Sequence, residues 1–306
     1  MNSDLIVNEI LESYKKYDIT KRIDAASQLN KDTIIEIVET MRRILFPGFF
    51  AENKAKSEYL PYIVGEKVEF IHYHLRKQIC NALGSLGQCD NCEKNVCMEK
   101  ADKLTREFLS KIPQIREYLY TDVLAAYDGD PAAYSTDEII FSYPGLFAIT
   151  VYRMAHELFL LKIPMIPRIM TEYAHGLTGI DIHPGASIGK YFFIDHGTGI
   201  VIGETTEIGN NVKIYQGVTL GALSTRKGQQ LKGVKRHPTI CDYVTIYSGT
   251  SVLGGDTVIG EGAVIGGNAF IVESVPAGTK VSVKNHELQY SGKESDEFQQ
   301  EELGII

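Results

Sequence analysis

The sequence predicts an α+β chain in two parts. An all-α N-terminal domain over residues 1–178 leads into a parallel β-helix over 179–283 that carries an extended loop, and a flexible tail over 284–306 follows. Three observations predict this. Of 28 glycines, 20 lie between Gly176 and Gly278, so composition changes near residue 176. Before that point apolar residues recur at helical spacing; after it, aliphatic residues recur every six positions.

In the first part, Asn30 is placed to cap a helix in which Ile34, Ile35, Val38, Met41 and Leu45 share one face, and Pro47-Gly48 stops it. The same spacing predicts helices over Val68 to Leu83, Lys100 to Tyr120 and Phe147 to Leu161.

In the second part, Ile182, Ile188 and Ile194 open the repeat, and after a two-residue slip Ile202, Ile208, Ile214 and Leu220 continue it. Ile240, Ile246 and Val252 resume it beyond an interruption, and a one-residue slip leads to Ile259, Ile265 and Ile271. This period fits neither a helix nor a hairpin array. It suits a prism whose every side is one short strand, three sides to a coil. Each aliphatic residue then points inward and stacks on its counterpart one coil away, which stabilises by roughly 1.5–3 kcal/mol per side chain. Glycines and Asn210-Asn211 serve the corners, where a positive φ is easiest for such residues.

A chain of 306 residues that is 44% hydrophobic and 23% charged is long enough for a large core and is not a disordered polymer. Its net charge of -8 argues against holding nucleic acid by phosphate neutralisation. Half of that charge lies in Ser291 to Ile306, where five acids face only Lys293. The start, MNSDLIVNEI, lacks the basic and apolar segments of a secretory signal, and apolar stretches such as Leu158 to Leu161 fall far short of the ~18 residues of a membrane span. Five cysteines do not resemble a secreted disulfide framework, so a cytoplasmic location is expected.

Chemistry concentrates in two places. The interruption of the repeat, residues 221–239, holds Arg226, Lys227, Lys232, Lys235 and Arg236 and no acid. It either attracts an anionic ligand, such as the phosphates of coenzyme A or a substrate carboxylate, or is a solvated flexible loop. Within the coils, Asp181, His183, Asp195, His196 and Glu204 cluster. His183, followed by Pro184, reads as a structural hydrogen-bonder. His196 lies about one coil beyond Asp181, where stacking would bring the two together. A carboxylate beside an imidazole fixes its tautomer and stabilises the imidazolium formed on taking a proton, as acyl transfer to an alcohol requires. Structural roles for both residues stay open on spacing alone. Cys80, Cys89, Cys92 and Cys97 could hold zinc or an iron-sulfur centre, or be four reduced thiols, and Cys241 reads as a small packing residue.

The segments DGDPAAYST (128–136), DIHPGASIG (181–189), IDHGTGIVIGET (194–205), GVTLGA (217–222) and KRHPTI (235–240) together resemble the serine O-acetyltransferases of the hexapeptide-repeat, left-handed β-helix acyltransferases. The resemblance runs in order from about Asp128 to Pro276. It implies a left-handed coil, a trimer or dimer of trimers with sites between prisms, L-serine and acetyl-CoA as substrates with no tightly bound cofactor, and feedback inhibition by L-cysteine. By matching motif, His196 is the general base and Asp181 its orienting partner. Asp130, Pro131, Asp195, Arg236 and His237 form the serine pocket, and Thr219, Gly221, Ala222 and Gly249 line the cofactor groove. Two departures stand out: Ala222 replaces a common second glycine, and VSVKNHELQY lacks the Gly-x-Pro-Ala-Arg signature, where Lys284 is the nearest substitute. The resemblance also implies that the tail ending in Ile306 docks into O-acetylserine sulfhydrylase, while its acidic composition alone reads as a disordered, solubilising tail. A different acceptor (homoserine or an amino sugar), a zinc hydratase using His183, His196 and His237, and a non-catalytic scaffold are the alternatives.

Overall fold

The computed structural model describes residues 3–17, 28–50, 56–85, 94–224, 226 and 228–284. The first part is helical: α1 (Ser3–Lys16), α2 (Lys31–Leu45), α3 (Leu60–Ser85), α4 (Lys94–Leu109), α5 (Ile112–Gly129), α6 (Thr136–Ser142), α7 (Pro144–Leu160) and α8 (Ile166–Thr178). Asn30 caps α2 as expected, its side chain accepting from the Thr33 N–H at 2.9 Å. The run expected over Lys100 to Tyr120 is instead two helices. Ser110 and Lys111 close α4, and Pro113 in the first turn of α5 cannot donate to a carbonyl one turn back, so the chain restarts there. Among the described residues no helix is long and apolar enough to cross a membrane.

Gly179 ends α8 in the left-handed conformation, φ 69°, and the prism begins. Its strands are β1 (Asp181–Ile182), β2 (Ser187–Ile188), β3 (Phe193–Asp195), β4 (Val201–Ile202), β5 (Glu207–Ile208), β6 (Lys213–Tyr215) and β7 (Thr219–Gly221). After the loop come β8 (Thr239–Ile240), β9 (Thr245–Ile246), β10 (Ser251–Leu253), β11 (Val258–Ile259), β12 (Val264–Ile265), β13 (Phe270–Ile271) and β14 (Lys280–Val281). They form three parallel sheets, ordered β1-β4-β7-β10-β13, β11-β8-β5-β2 and β14-β12-β9-β6-β3.

The register makes the repeat physical. Ile182, Ile202, Leu220, Val252 and Ile271 stack on one side; Ile188, Ile208, Ile240 and Ile259 on the second; Ile194, Ile214, Ile246 and Ile265 on the third. All but Ile271 are buried. The parallel pairing satisfies the strand backbones, and the stacked aliphatics fill the interior.

Helix α7 fastens the helical part to the first coil. Gly145 packs so closely on β3 that a Cβ there would sit 2.6 Å from the Ile194 carbonyl oxygen. The Tyr152 hydroxyl donates to the Ala186 carbonyl at 2.6 Å, and His156 Nδ1 lies 2.8 Å from the Pro184 carbonyl. Between them Arg153 forks onto Asp122 of α5, at 2.6 and 2.8 Å, and also donates to the carbonyls of Ile188 and Gly189. Asp122 in turn accepts the Phe192 N–H at 3.0 Å. Both side chains are buried, so removing one partner strands a charge. Arg153→Met is expected to lower unfolding stability by about 3–5 kcal/mol in urea titration. The double variant Asp122→Leu/Arg153→Met should lose less; equal loss in both would remove the uncompensated charge as the cause.

Candidate active site

The candidate residues gather in two groups, at the two corners that bound the face made by β1, β4 and β7. Asp195 ends β3 and His196 follows it, with φ 60° at a corner where glycine is otherwise common. The imidazole is 69% exposed, and its Nδ1 lies 3.6 Å from Asp195 Oδ1. Asp130 comes from the helical part: it caps the C-terminus of α5, and its carboxylate accepts from the Tyr143 hydroxyl at 2.6 Å and the Ala132 N–H at 2.9 Å. The Tyr143 bond, first of all, holds the Asp130 carboxyl below its usual range, while the same bond pushes the tyrosine up to about 12. Pro131 follows at the surface and is exposed. Lys213 completes this group, donating to the Gly129 carbonyl at 2.7 Å and approaching Asp195 Oδ2 at 3.4 Å.

The second group lies past the other end of β4. Arg236 pairs with Glu204 and donates to the Leu231 carbonyl at 3.2 Å. Its N–H and that of His237 both donate to Thr205 Oγ1, at 2.9 and 3.1 Å. His237 is buried over Gly203, where a Cβ would sit 2.1 Å from its Cδ2, so only glycine permits this stacking. The Thr205 N–H donates to His237 Nδ1 at 3.0 Å, which leaves the ring proton on Nε2. Burial, with Arg236 next, lowers the His237 pKa from 6.5 to about 4, so this imidazole is neutral at pH 7. Burial likewise lowers His183, whose Nδ1 accepts the Gly185 N–H at 3.0 Å, the structural bond the sequence implied.

Within one chain Asp181 does not stand where the spacing implied. The corner between β3 and β4 takes extra residues, the two-residue slip of the repeat, so the register stacks Asp181 against Val201 and not beside His196. Its carboxylate meets Arg168 at 3.3 Å, and Arg168 also pairs with Glu172. Among the described residues no hydrogen bond or ion pair joins Asp181 to His196, or either group to the other. A prism side of six residues at ~3.3 Å each separates the two corners by on the order of 15–20 Å.

Thr219 and Gly221 point outward from β7, with Leu220 buried between them, and Ala222 follows half-buried. Gly249 lies in a column with Gly199 and Gly217, all at positive φ, whose backbones approach so closely that a Cβ on Gly217 would reach the Gly249 Cα at 3.4 Å. The column leaves a stripe of bare backbone at Gly199 and Gly217 beside Tyr215 and Tyr247, which stack at 4.9 Å, and the Asn268 side chain lies over Gly249. In the basic loop, Lys235 is tied to the Thr205 carbonyl at 2.7 Å, Arg226 and Lys232 are exposed, and Lys227 lies outside the described residues. Lys284 is exposed. Cys80 and Cys97 place their sulfurs 3.2 Å apart, while Cys89, Cys92 and Ile306 lie outside the described residues. The potential metal-ligand group among the described residues is a different one, Glu172, His175 and Asp181, already crossed by Arg168. Sequence reading missed Tyr143, Lys213 and Arg168. Lys213 carried one signal, a cation two positions before the tyrosine that pairs with Asp195, legible only once the register is known.

No protein-family model matches the chain. In sequence it is 44% identical over 259 residues to a plasmid serine acetyltransferase of Synechococcus elongatus, covering 83% of this chain and 81% of that one. It is 46% identical over 175 residues to the serine acetyltransferase of Bacillus subtilis, 57% of this chain and 78% of that one. Among solved structures, Entamoeba histolytica serine acetyltransferase 1 in complex with L-cysteine has a TM-score of 0.70 at 37% identity, covering 84% and 87% of the two chains. Neisseria gonorrhoeae serine acetyltransferase in complex with serine has a TM-score of 0.53 at 27% identity, covering 86% and 98%.

The neutral His237 sets a pH dependence. Its folded pKa lies below the unfolded value, so between about 4 and 6.5 the unfolded chain binds more protons and stability rises with pH. Thermal midpoints of wild type should therefore fall more steeply than those of His237→Gln on acidification through this window. Parallel curves would show that His237 is not held neutral.

Proposed function

Because the chain belongs to the serine acetyltransferases, enzymes that move an acetyl group to the serine hydroxyl, we propose that its reaction runs at sites shared between copies, with His196 as general base. The observation that carries this is the division of the candidate residues into two groups at opposite ends of one prism face, each holding half of what a zwitterionic amino acid needs. Asp130 and Asp195 take the ammonium. Arg236, oriented by Glu204, forks onto the carboxylate, and His237 offers its Nε2–H beside it. Against a second copy around a threefold axis, the His196 corner of one prism meets the Arg236 corner of the next, and Asp181 reaches His196 across that boundary.

His196 Nε2 then takes the hydroxyl proton of serine, and the oxygen attacks the carbonyl carbon of acetyl-CoA. The tetrahedral adduct collapses with release of the coenzyme A thiolate, which recovers the proton from the imidazolium. The groove for the thioester runs along Thr219, Gly221, Ala222 and the glycine column to Gly249, where bare backbone admits a long, thin chain. L-Cysteine, held by a solved relative, differs from serine by sulfur for oxygen and competes for the same pocket. Five cysteines in 306 residues, too few and too clustered for a secreted disulfide framework, support a cytoplasmic location.

His196→Ala and Arg236→Ala should each abolish serine-dependent thiol release from acetyl-CoA. Unfolded together in equal amounts and refolded, they should regain about a quarter of wild-type activity, because random assembly pairs two intact halves at one interface in four. No recovery from refolded, fully assembled mixtures would place all the groups in one chain.

A further inference from the structure

We propose that Lys213 sets how tightly the pocket holds any amino acid, by keeping a resident ammonium on the carboxylate that must receive the ligand's own. This rests on the assignment of Asp195 to the substrate ammonium. Lys213 stands one coil above Phe193 in β6, and its side chain is 22% exposed. Its Nζ is boxed by the faces of Phe193 and Tyr215, at 4.8 and 4.7 Å from the ring centroids, and tied to the Gly129 carbonyl at 2.7 Å. From that fixed seat it approaches Asp195 Oδ2 at 3.4 Å, while His196 takes the Oδ1 side at 3.6 Å. One oxygen of Asp195 thus faces a fixed ammonium before any ligand arrives, and the His196 ring stands near the other.

An incoming ammonium therefore shares the carboxylate with a like charge that has two rings and a carbonyl holding it in place. The repulsion acts on the ammonium alone. It weakens serine and cysteine in parallel, leaves the thioester untouched, and does not involve the hydroxyl being acetylated. Lys213 is in this sense an affinity-setting residue outside the chemistry, one that keeps substrate and inhibitor in a constant ratio.

Lys213→Gln removes the charge but keeps a donor for the Gly129 carbonyl, and Lys213→Met fills the slot between the rings with neither. Both should lower the serine KM and the cysteine dissociation constant together, on the order of fivefold. The kcat should stay within about twofold, the acetyl-CoA KM should not move, and Lys213→Arg should restore wild-type values. Melting curves confirm that each variant is folded. A serine KM that is unchanged or raised in both neutral variants, or a change in serine without the matching change in cysteine, overturns the proposal. Asp195→Asn separates it from its premise: if that variant binds cysteine as wild type does, the ammonium does not sit at Asp195, and the site reading fails first.

Discussion

The buried pair of Asp122 and Arg153 is the constraint on which the placement of the site depends. A single guanidinium reaches one carboxylate on α5 and two carbonyls of the first coil, while that carboxylate reaches back to Phe192. Apolar side chains could hold these helices as firmly, since desolvating two charges offsets most of their attraction. They could not fix the angle. Four directional bonds from one planar group set α5 and α7 against the end of β2, and the ends of those helices supply Asp130 and Tyr143. The acid at the end of α5 comes to lie in the electrostatic field of His196 and Lys213, although it precedes them by an entire helical hairpin.

Electrostatics then divide the site. One corner carries two carboxylates, the Lys213 ammonium and an exposed imidazole; the other carries a guanidinium paired with Glu204 and an imidazole that burial keeps neutral. A neutral ring can donate beside Arg236 without adding a second positive charge, and the Thr205 N–H decides which nitrogen donates. The substrate has the complementary polarity, ammonium at one end and carboxylate at the other. A prism side is too wide for one amino acid to bridge the two corners of one chain, which is why the proposed site takes its two halves from neighbouring copies.

Much of this was legible in the letters, for a definite reason. A six-residue period with inward aliphatics has one economical packing, and every stack it implied is present from Ile182 to Ile265. Local signals also held where they were local: the Asn30 cap and the structural hydrogen-bonding role of His183. What failed was register. The slip between Ile194 and Ile202 adds residues at one corner, and with that shift Asp181 moved from the neighbourhood of His196 to that of Arg168. Lys213 was invisible for the same reason, and Tyr143 because its partner sits across a loop whose path no periodicity encodes. The break at Ser110 and Lys111 was a different failure, with continuous apolar spacing masking the proline that restarts the helix. The functional roles came from ordered motifs, which the periodicity alone could not supply.

The division of the site between copies is tested most directly by a structure of the assembled protein with L-serine bound. The account predicts one serine per interface, its ammonium at Asp130 and Asp195 of one copy and its carboxylate on Arg236 of a second, with the hydroxyl within hydrogen-bond reach of His196 Nε2. A serine whose ammonium, carboxylate and hydroxyl are all met by a single chain would contradict it.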